Sequence, residues 1–149
     1  MLFTKYFEEY QIGESWQSKG RTITEADIVN FASLSGDWYP LHTDAEYARQ
    51  TPFQQRIAHG LLVLSVGSGL LHFEPGIVVA FYSMDEVRFY HPTFIGDTIH
   101  VNLEVTELTE HKNETGIVTV RQQLVKQTEE EVATSKVKIL VNKKSMNDI

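Results

Sequence analysis

The chain has 149 residues, 42% of them hydrophobic, and its 13 basic and 20 acidic side chains give a net charge of −7. This length suits one domain with one core, and the acidic balance argues against nucleic acid and anionic membrane surfaces as partners. The absence of cysteine excludes disulfides, thiolate nucleophiles and most structural zinc sites.

The amino-terminal stretch MLFTKYFEEYQIGESW carries acidic residues that interrupt every apolar run. A secretory signal needs an unbroken apolar segment and a transit peptide is rich in arginine, so neither is indicated. The most apolar helical stretch, residues 58–71, falls short of the roughly 20 residues that cross a bilayer. We therefore expect a cytoplasmic protein that does not enter a membrane.

The first predicted helix covers residues 25–35. Thr24 precedes it as a hydroxyl residue able to cap the first amides, and acidic residues follow in the first turn. One face is predicted to pack on the core, because apolar residues recur there at helical spacing: Ile28, Phe31, Ala32 and Leu34. Gly36 and Asp37 then end the helix, since glycine tolerates the closing backbone angles and aspartate favours turns.

Residues 37–42 read DWYPLH and are predicted to form a structured loop, because Pro40 lacks an amide donor and biases Tyr39 toward extended geometry. A short helix is predicted at residues 44–50, and Thr51-Pro52 marks the next break.

Residues 58–71 are predicted to form a core helix, because the segment from Ile57 onward, IAHGLLVLSVGSGLLHF, is apolar on every side. Gly67 and Gly69 each cost about 1 kcal/mol relative to alanine inside a helix. Together with Ser65 and Ser68 they indicate that a backbone or a ligand approaches closely.

The second half of the chain is predicted to be a sheet, with strands at residues 76–82, 84–90, 98–108, 116–127 and 132–141. Alternation places Ile99, Val101, Leu103 and Val105 on one face of the third run. Connections at Gly96-Asp97 and at residues 112–114 are too short for parallel crossovers, so the sheet should be antiparallel. The tail at 142–149 is polar and predicted to fray. Helices followed by strands favour an α+β fold in which the sheet wraps one buried helix.

Two groups of residues are candidates for chemistry. Asp37 and His42 flank Pro40 and could present a carboxylate and an imidazole to one small molecule, although each alone could also be a turn or surface residue. His59 and Gly60 begin the core helix, where free amides attract oxyanions; His59 could instead cap the helix or fill a gap.

Other kinds of site are not indicated. The six histidines lack ligand spacing such as His-x-x-x-His beside a carboxylate, so no metal is expected. A Gly-x-Ser-x-Gly elbow is also absent, because Ser65-Val66-Gly67-Ser68-Gly69 has its glycines in the wrong frame and no strand before it.

Three segments together resemble the MaoC-like, (R)-specific enoyl-CoA hydratase family: SLSGDWYPLHTDAEYA at 33–48, IAHGLLVLSVGSGLL at 57–71 and VRFYHPTFIGDTIHV at 87–101. The resemblance runs from about residue 12 to 141, which would make residues 1–149 a single domain of this kind. It implies a hot-dog fold, in which a curled antiparallel sheet wraps a long helix, and a homodimer or an assembly of dimers with sites between subunits.

The resemblance also implies residue roles and a reaction. Asp37 and His42 match the family's catalytic pair, Gly60 matches its oxyanion-hole amide, and Ser68 matches a serine lining the pocket. His59 and Tyr39 are further candidates for substrate binding, but the family pattern has asparagine where this chain has Tyr39. The implied activity is interconversion of a 2-enoyl and a 3-hydroxyacyl thioester in fatty acid metabolism.

The implied substrate is an acyl-CoA, with no cofactor other than the coenzyme A that the substrate itself carries. Two alternatives remain. One is a 3-hydroxyacyl-[acyl-carrier-protein] dehydratase, which the net acidity slightly disfavours because the carrier protein is itself acidic. The other is a non-catalytic acyl-thioester binding protein in which Tyr39 has spoiled the site. A hot-dog thioesterase fits the loop pattern less well.

Overall fold

A computed structural model describes residues 3–145, which form one antiparallel sheet and a set of helices around a common core. The sheet holds six strands within these residues: β1 Ser15–Gln17, β2 Arg21–Thr22, β3 Val78–Phe89, β4 Thr98–His111, β5 Thr115–Lys126 and β6 Glu131–Asn142. The helices are a 3-10 turn at Phe7–Glu9, then α1 Glu25–Ser35, α2 Pro40–Thr43, α3 Ala45–Arg49 and α4 Gly60–Gly69.

The strands follow the order β1-β4-β5-β6-β3, and the short β2 also pairs with β4. The alternation predicted for β4 is confirmed, because Ile99, Val101, Leu103 and Val105 are buried on its inner face. Gly96 adopts a left-handed conformation in the predicted turn before β4. Asn113 and Glu114 do the same in the tight β4–β5 hairpin. The antiparallel α+β architecture is therefore as predicted.

The first helix also forms as predicted at both ends. Thr24 accepts a hydrogen bond from the Asp27 amide, and the Asp27 side chain bonds back to the Thr24 amide, which completes a capping box. Gly36 closes the helix in the left-handed region at φ 78°. The predicted core face was wrong at Leu34, which is 85% exposed. Leu34 lies about 200° around the helix from buried Ala32, at 100° per residue.

The predicted loop at 37–42 is only partly a loop, because α2 begins at Pro40. Proline is tolerated in the first helical turn, where its missing amide costs no hydrogen bond. The predicted helix at 44–50 is confirmed as α3, which Asp44 caps by accepting the Glu46 and Tyr47 amides.

Helix α4 packs on the inner face of the sheet through Leu62, Val63 and Leu64, which are all buried. It is shorter than the predicted 58–71, and the prediction of burial on every side was wrong. Leu61 is 67% exposed, and Ser65 and Ser68 share its open side. In the single chain the sheet covers only one side of this helix. Of Gly67 and Gly69, only Gly67 meets a close neighbour, the Leu124 side chain.

The two predicted strands at 76–82 and 84–90 are in fact one strand, β3. Its pairing with β6 shifts register three times, so the polar residues around Ser83 lie in bulges rather than in a turn. The first residue of the tail that we predicted to fray is ordered, because the Asn142 amide donates a hydrogen bond to the Ile77 carbonyl. Residues 146–149 lie outside the described range. Within residues 3–145, no helix combines the length and the apolar character that crossing a bilayer requires.

Candidate active site

His42 projects from α2, and its ring is held by the backbone of the segment before α4. The Nδ1 atom lies 2.7 Å from the Ile57 carbonyl oxygen. A carbonyl can only accept, so Nδ1 must carry the proton and donate it. The neutral ring then keeps its lone pair at Nε2, and His42 is set up as a proton acceptor at that atom.

The charge state of His42 agrees with this assignment. Partial burial lowers the pKa of His42 below 6.5, and the neighbouring His59 lowers it further. The Ile57 carbonyl and the Asp37 carboxylate favour the protonated ring but do not outweigh burial. At neutral pH the imidazole is therefore uncharged and able to act as a base.

Asp37 follows the glycine that closes α1, and local hydrogen bonds orient it. Its amide donates to Ser35 Oγ at 3.1 Å, and its Oδ1 atom accepts the Tyr39 amide at 3.2 Å. One carboxylate oxygen of Asp37 and one ring nitrogen each from His42 and His59 lie within 4.8 Å of one another. The structure thus brings the two predicted acid-base residues together on one face.

His59 lies behind this pair, with only 2% of its surface exposed. Its Nε2 atom is 2.9 Å from the Asp37 carbonyl oxygen, and its ring stacks on His42 with centroids 3.9 Å apart. Phe31 packs against the same ring at 4.9 Å. We predicted that His59 contacts substrate, but in the structure its ring contacts Phe31 and the two acid-base residues. It makes no capping hydrogen bond to α4.

Gly60 is the first residue of α4, where the opening amides of a helix have no partner within the helix. A side chain is excluded here without rearrangement, because a Cβ atom on Gly60 would lie 2.7 Å from Phe89 Cζ. Glycine therefore allows the Phe89 ring to pack closely here, and the Gly60 amide lies at the end of the helix where negative charge is favoured.

A largely apolar cavity of about 470 Å³ adjoins this end of α4. Ile57 and Gly60 belong to its wall, and its other lining residues include Phe53, Leu61, Val63, Phe89 and Val132. A hydrophobic cleft of this volume can enclose a short acyl chain. The wall therefore joins an apolar binding surface to the amide of Gly60 and to the carbonyl that holds His42.

Comparison with known proteins identifies the family. The family model for MaoC-like domains matches residues 8–128, which is most of the chain. The chain belongs to the MaoC-like domain family. A solved structure of an Archaeoglobus protein, titled a monoamine oxidase regulatory protein, is 40% identical with a TM-score of 0.89, over 95% of this chain and 96% of that one. The shared architecture is the hot-dog fold.

Two curated relatives of this MaoC-like chain carry functional names. Protein MaoC of Klebsiella aerogenes is 47% identical over 103 residues, 68% of this chain but only 30% of that protein. The (R)-specific enoyl-CoA hydratase of Rhodospirillum rubrum is 39% identical over 111 residues, which cover 74% of this chain and 76% of the relative.

The remaining predicted residues of this MaoC-like site are placed differently. Tyr39 lies near His42, with ring centroids 6.0 Å apart, and its hydroxyl is 3.3 Å from that of Tyr47. Ser68 lies on the open side of α4 and donates to the Ser65 carbonyl at 2.7 Å. It is eight residues beyond Gly60, roughly 12 Å along the helix. The single chain therefore does not bring Ser68 to Asp37 and His42.

Two site residues escaped sequence reasoning. Ile57 acts through its backbone carbonyl, which no residue type signals, and only the pairing of Ile57 with Phe94 places it beneath His42. The second is Tyr47 in α3, whose hydroxyl lies near that of Tyr39, the residue just before α2. Its position eight residues after Tyr39 became informative only once both short helices were known.

Asp37, His42 and His59 are also the described residues whose types and spacing could hold a metal ion. Two imidazoles and a carboxylate are suitable ligands for a transition metal. In the structure, however, His42 Nδ1 is already bonded to the Ile57 carbonyl and His59 Nε2 to the Asp37 carbonyl. That no metal is bound here stays a prediction.

Proposed function

We propose that this chain is a hydro-lyase that interconverts a 2-enoyl thioester and a 3-hydroxyacyl thioester, with the acyl group on coenzyme A and with (R) stereochemistry. The observation that carries the proposal is the state of His42: a neutral imidazole, bound at Nδ1 to the Ile57 carbonyl, lies with one ring nitrogen within 4.8 Å of an Asp37 carboxylate oxygen. The name of the Rhodospirillum relative supports the same substrate class.

In the hydration direction, Asp37 and His42 hold a water molecule between them and remove one of its protons. The water oxygen then forms a bond to C3 of the enoyl group, and the double bond shifts to give an enolate. One of the two residues returns the proton to C2, so that one molecule of water is consumed. General acid-base assistance of this kind contributes roughly 10²–10⁴-fold to the rate.

Gly60 supplies the second requirement, which is stabilisation of charge on the thioester oxygen. Attack at C3 makes that oxygen an enolate, and an amide at a helix start donates to it with the helix dipole in favour. A single donor of this type contributes roughly 10²–10³-fold. The position of Gly60 in the wall of the apolar cavity supports this role, because the cavity could hold the acyl chain.

The outer residues of the site define substrate binding in this proposal. Tyr39, with its hydroxyl near Tyr47, narrows the approach to His42. His59 supports Asp37 and His42 from behind rather than touching the acyl group. Ser68 takes part only if a second subunit brings its helix face against the substrate.

We propose that the second subunit is another copy of this chain, paired along β3. Strand β3 lies at the sheet edge and pairs on one side with β6. Its exposed apolar side chains include Phe81, Tyr82 and Phe89, and the open side of α4 exposes Leu61. A 12-residue edge strand with exposed apolar side chains is the kind of surface that a homodimer buries.

The proposal extends to location and cofactors. Asp37, His42 and the Gly60 amide are sufficient for addition of water to an enoyl thioester, so no group beyond the coenzyme A of the substrate is required. A freely diffusing acyl-CoA fits a cytoplasmic enzyme. The net charge of −7 slightly disfavours docking of an acidic carrier protein as the bearer of the acyl chain.

The test is the loss of enoyl-thioester ultraviolet absorbance when the purified chain meets crotonyl-coenzyme A. Asp37→Asn and His42→Ala should each lower kcat by at least 10²-fold, because each removes one half of the acid-base pair. Glu107→Gln and His72→Ala are matched controls, since both residues are exposed and lie outside the site and the proposed interface. They should keep wild-type activity.

The same assay separates the alternatives. Full activity in Asp37→Asn would refute the assignment of the pair. Turnover that clearly prefers a carrier-bound over a coenzyme A-bound crotonyl group would replace the coenzyme A proposal with the carrier protein. Binding without turnover across a panel of acyl groups would reduce the chain to a binding protein.

A further inference from the structure

Lys126 is a lysine buried at the end of β5, with 5% of its side chain exposed. Its ammonium group lies 3.1 Å from Asp97 and 3.3 Å from Glu130, and it sits 5.0 Å from the centroid of the Phe94 ring. A buried ammonium is costly without such partners. A desolvated ion pair therefore lies at this position, and neither of its residues belongs to the Asp37 and His42 pair.

Asp97 is the centre of this group, and it belongs to the turn before β4. Its Oδ2 atom accepts the Phe94 amide at 2.8 Å, and its Oδ1 atom accepts Gln127 Nε2 at 2.8 Å. Burial raises the pKa of Asp97, but the bonds from Gln127, Phe94 and Lys126 lower it by more. Asp97 is thus ionised at neutral pH, and its charge closes the turn over residues 94–97.

This turn holds the backbone on which the active site is built. Ile57 forms a β-bridge with Phe94, and the Ala58 amide donates to the Thr93 carbonyl at 2.8 Å. Ile57, which this turn holds, in turn accepts the hydrogen bond from His42 Nδ1 at its carbonyl. Two residues after Ala58, the chain enters α4 at Gly60.

We propose that the Asp97–Lys126 ion pair is a positioning device for the reaction: it fixes the turn that places the Ile57 carbonyl under His42 and thereby sets the tautomer of the catalytic imidazole. Neither residue touches substrate in this assignment. The kinetic consequence rests on the proposed hydratase function, whereas the structural consequence, the tautomer of His42, does not.

The direct test is the ¹⁵N chemical shifts of the His42 ring in labelled protein, compared between wild type and Lys126→Met. The wild type should show a protonated Nδ1 and a bare Nε2. Lys126→Met removes the ammonium and retains much of the side-chain volume, so the turn loosens and the shifts move toward a mixture of tautomers. Asp97→Asn provides a second variant if Lys126→Met fails to fold.

The kinetic test uses the hydratase assay on the same variants, well below their melting temperatures. A displaced imidazole slows the chemical step more than it weakens binding, so kcat should fall about tenfold while KM changes less than twofold. Val105→Ala is the matched control, because it also destabilises the core but lies far from the ion pair. Its distance along β4 from Thr98, the residue after Asp97, is roughly 23 Å at 3.3 Å per residue. Its kcat should stay at the wild-type value.

Two outcomes would overturn the inference. One is an unchanged His42 tautomer in folded Lys126→Met, which would make the ion pair purely structural. The other is an equal loss of kcat in Val105→Ala, which would trace the effect to general instability. If the wild type lacks hydratase activity, the hydratase proposal fails, and the ring shifts alone still decide whether the pair positions His42.

Discussion

The glycines of α4 provide a test in which the same substitution, glycine to alanine, has three different consequences. At Gly60 the new Cβ would lie 2.7 Å from Phe89 Cζ, so the ring must retreat by about 0.7 Å to reach ordinary contact. Phe89 is 47% exposed and the affected atoms are at the far end of its side chain, so this retreat costs little.

Alanine is also favoured over glycine within a helix by up to about 1 kcal/mol. We therefore expect the free energy of unfolding of Gly60→Ala to stay within about 1 kcal/mol of wild type. The methyl group, however, occupies space beside the amide that is proposed to bind the thioester oxygen. We expect kcat/KM to fall at least tenfold, equivalent to about 1.4 kcal/mol of transition-state stabilisation, and by no more than the roughly 10³-fold of a lost donor.

The other two glycines are internal controls. A Cβ at Gly69 meets nothing within 4 Å, so Gly69→Ala should keep both stability and activity. A Cβ at Gly67 would lie 2.9 Å from Leu124 Cδ2 in the core, and overpacking there should lower the free energy of unfolding by about 1–3 kcal/mol. Urea unfolding and the crotonyl-coenzyme A assay measure the two effects. A Gly60→Ala variant with wild-type kcat/KM would refute the role of this amide.

Three further predictions concern other parts of the chain. Since the pKa of His42 lies below 6.5, kcat/KM should rise with pH through that lowered pKa and be level by pH 7; a rise centred above 6.5 would contradict a neutral base. Arg21 holds the pKa of Asp27 at about 2, so the stabilisation is present above pH 3.8 and is lost as pH falls toward 2. Asp27→Asn should therefore lower the unfolding free energy by about 1 kcal/mol at pH 7, and by less at pH 2 in urea titrations. Phe81→Glu should convert the proposed dimer to a monomer in light scattering, whereas an unchanged mass would exclude β3 as the interface.

Local signals predicted much of the fold. Thr24 and Gly36 set the ends of α1 through capping and a left-handed backbone angle, both of which depend on a few adjacent residues. The alternation from Ile99 to Val105 predicted the inner face of β4 for the same reason. The Asp37 and His42 pair was assigned through family resemblance, because spacing across Pro40 alone favoured a turn aspartate and a surface histidine.

Features that depend on distant contacts could not be predicted. An apolar segment such as α4 indicates burial, but the exposed Leu61 shows that the chain itself covers only part of that surface. The polar residues around Ser83 indicated a break between two strands, whereas pairing with β6 accommodates them as bulges within one strand. Most lysines lie at the surface, and only the approach of Lys126 to Asp97 explains why this one is buried.

The bulges of β3 have a consequence for how the protein avoids aggregation. A long, flat and apolar sheet edge can recruit strands of unrelated chains and extend without limit. Along β3 the register shifts three times, and Glu86 adopts a left-handed conformation within the last irregular stretch. A regular foreign strand cannot follow such an edge, since bulges interrupt the ladder and increase its twist. The edge that β3 leaves open is therefore a poor template for continuous pairing with unrelated chains.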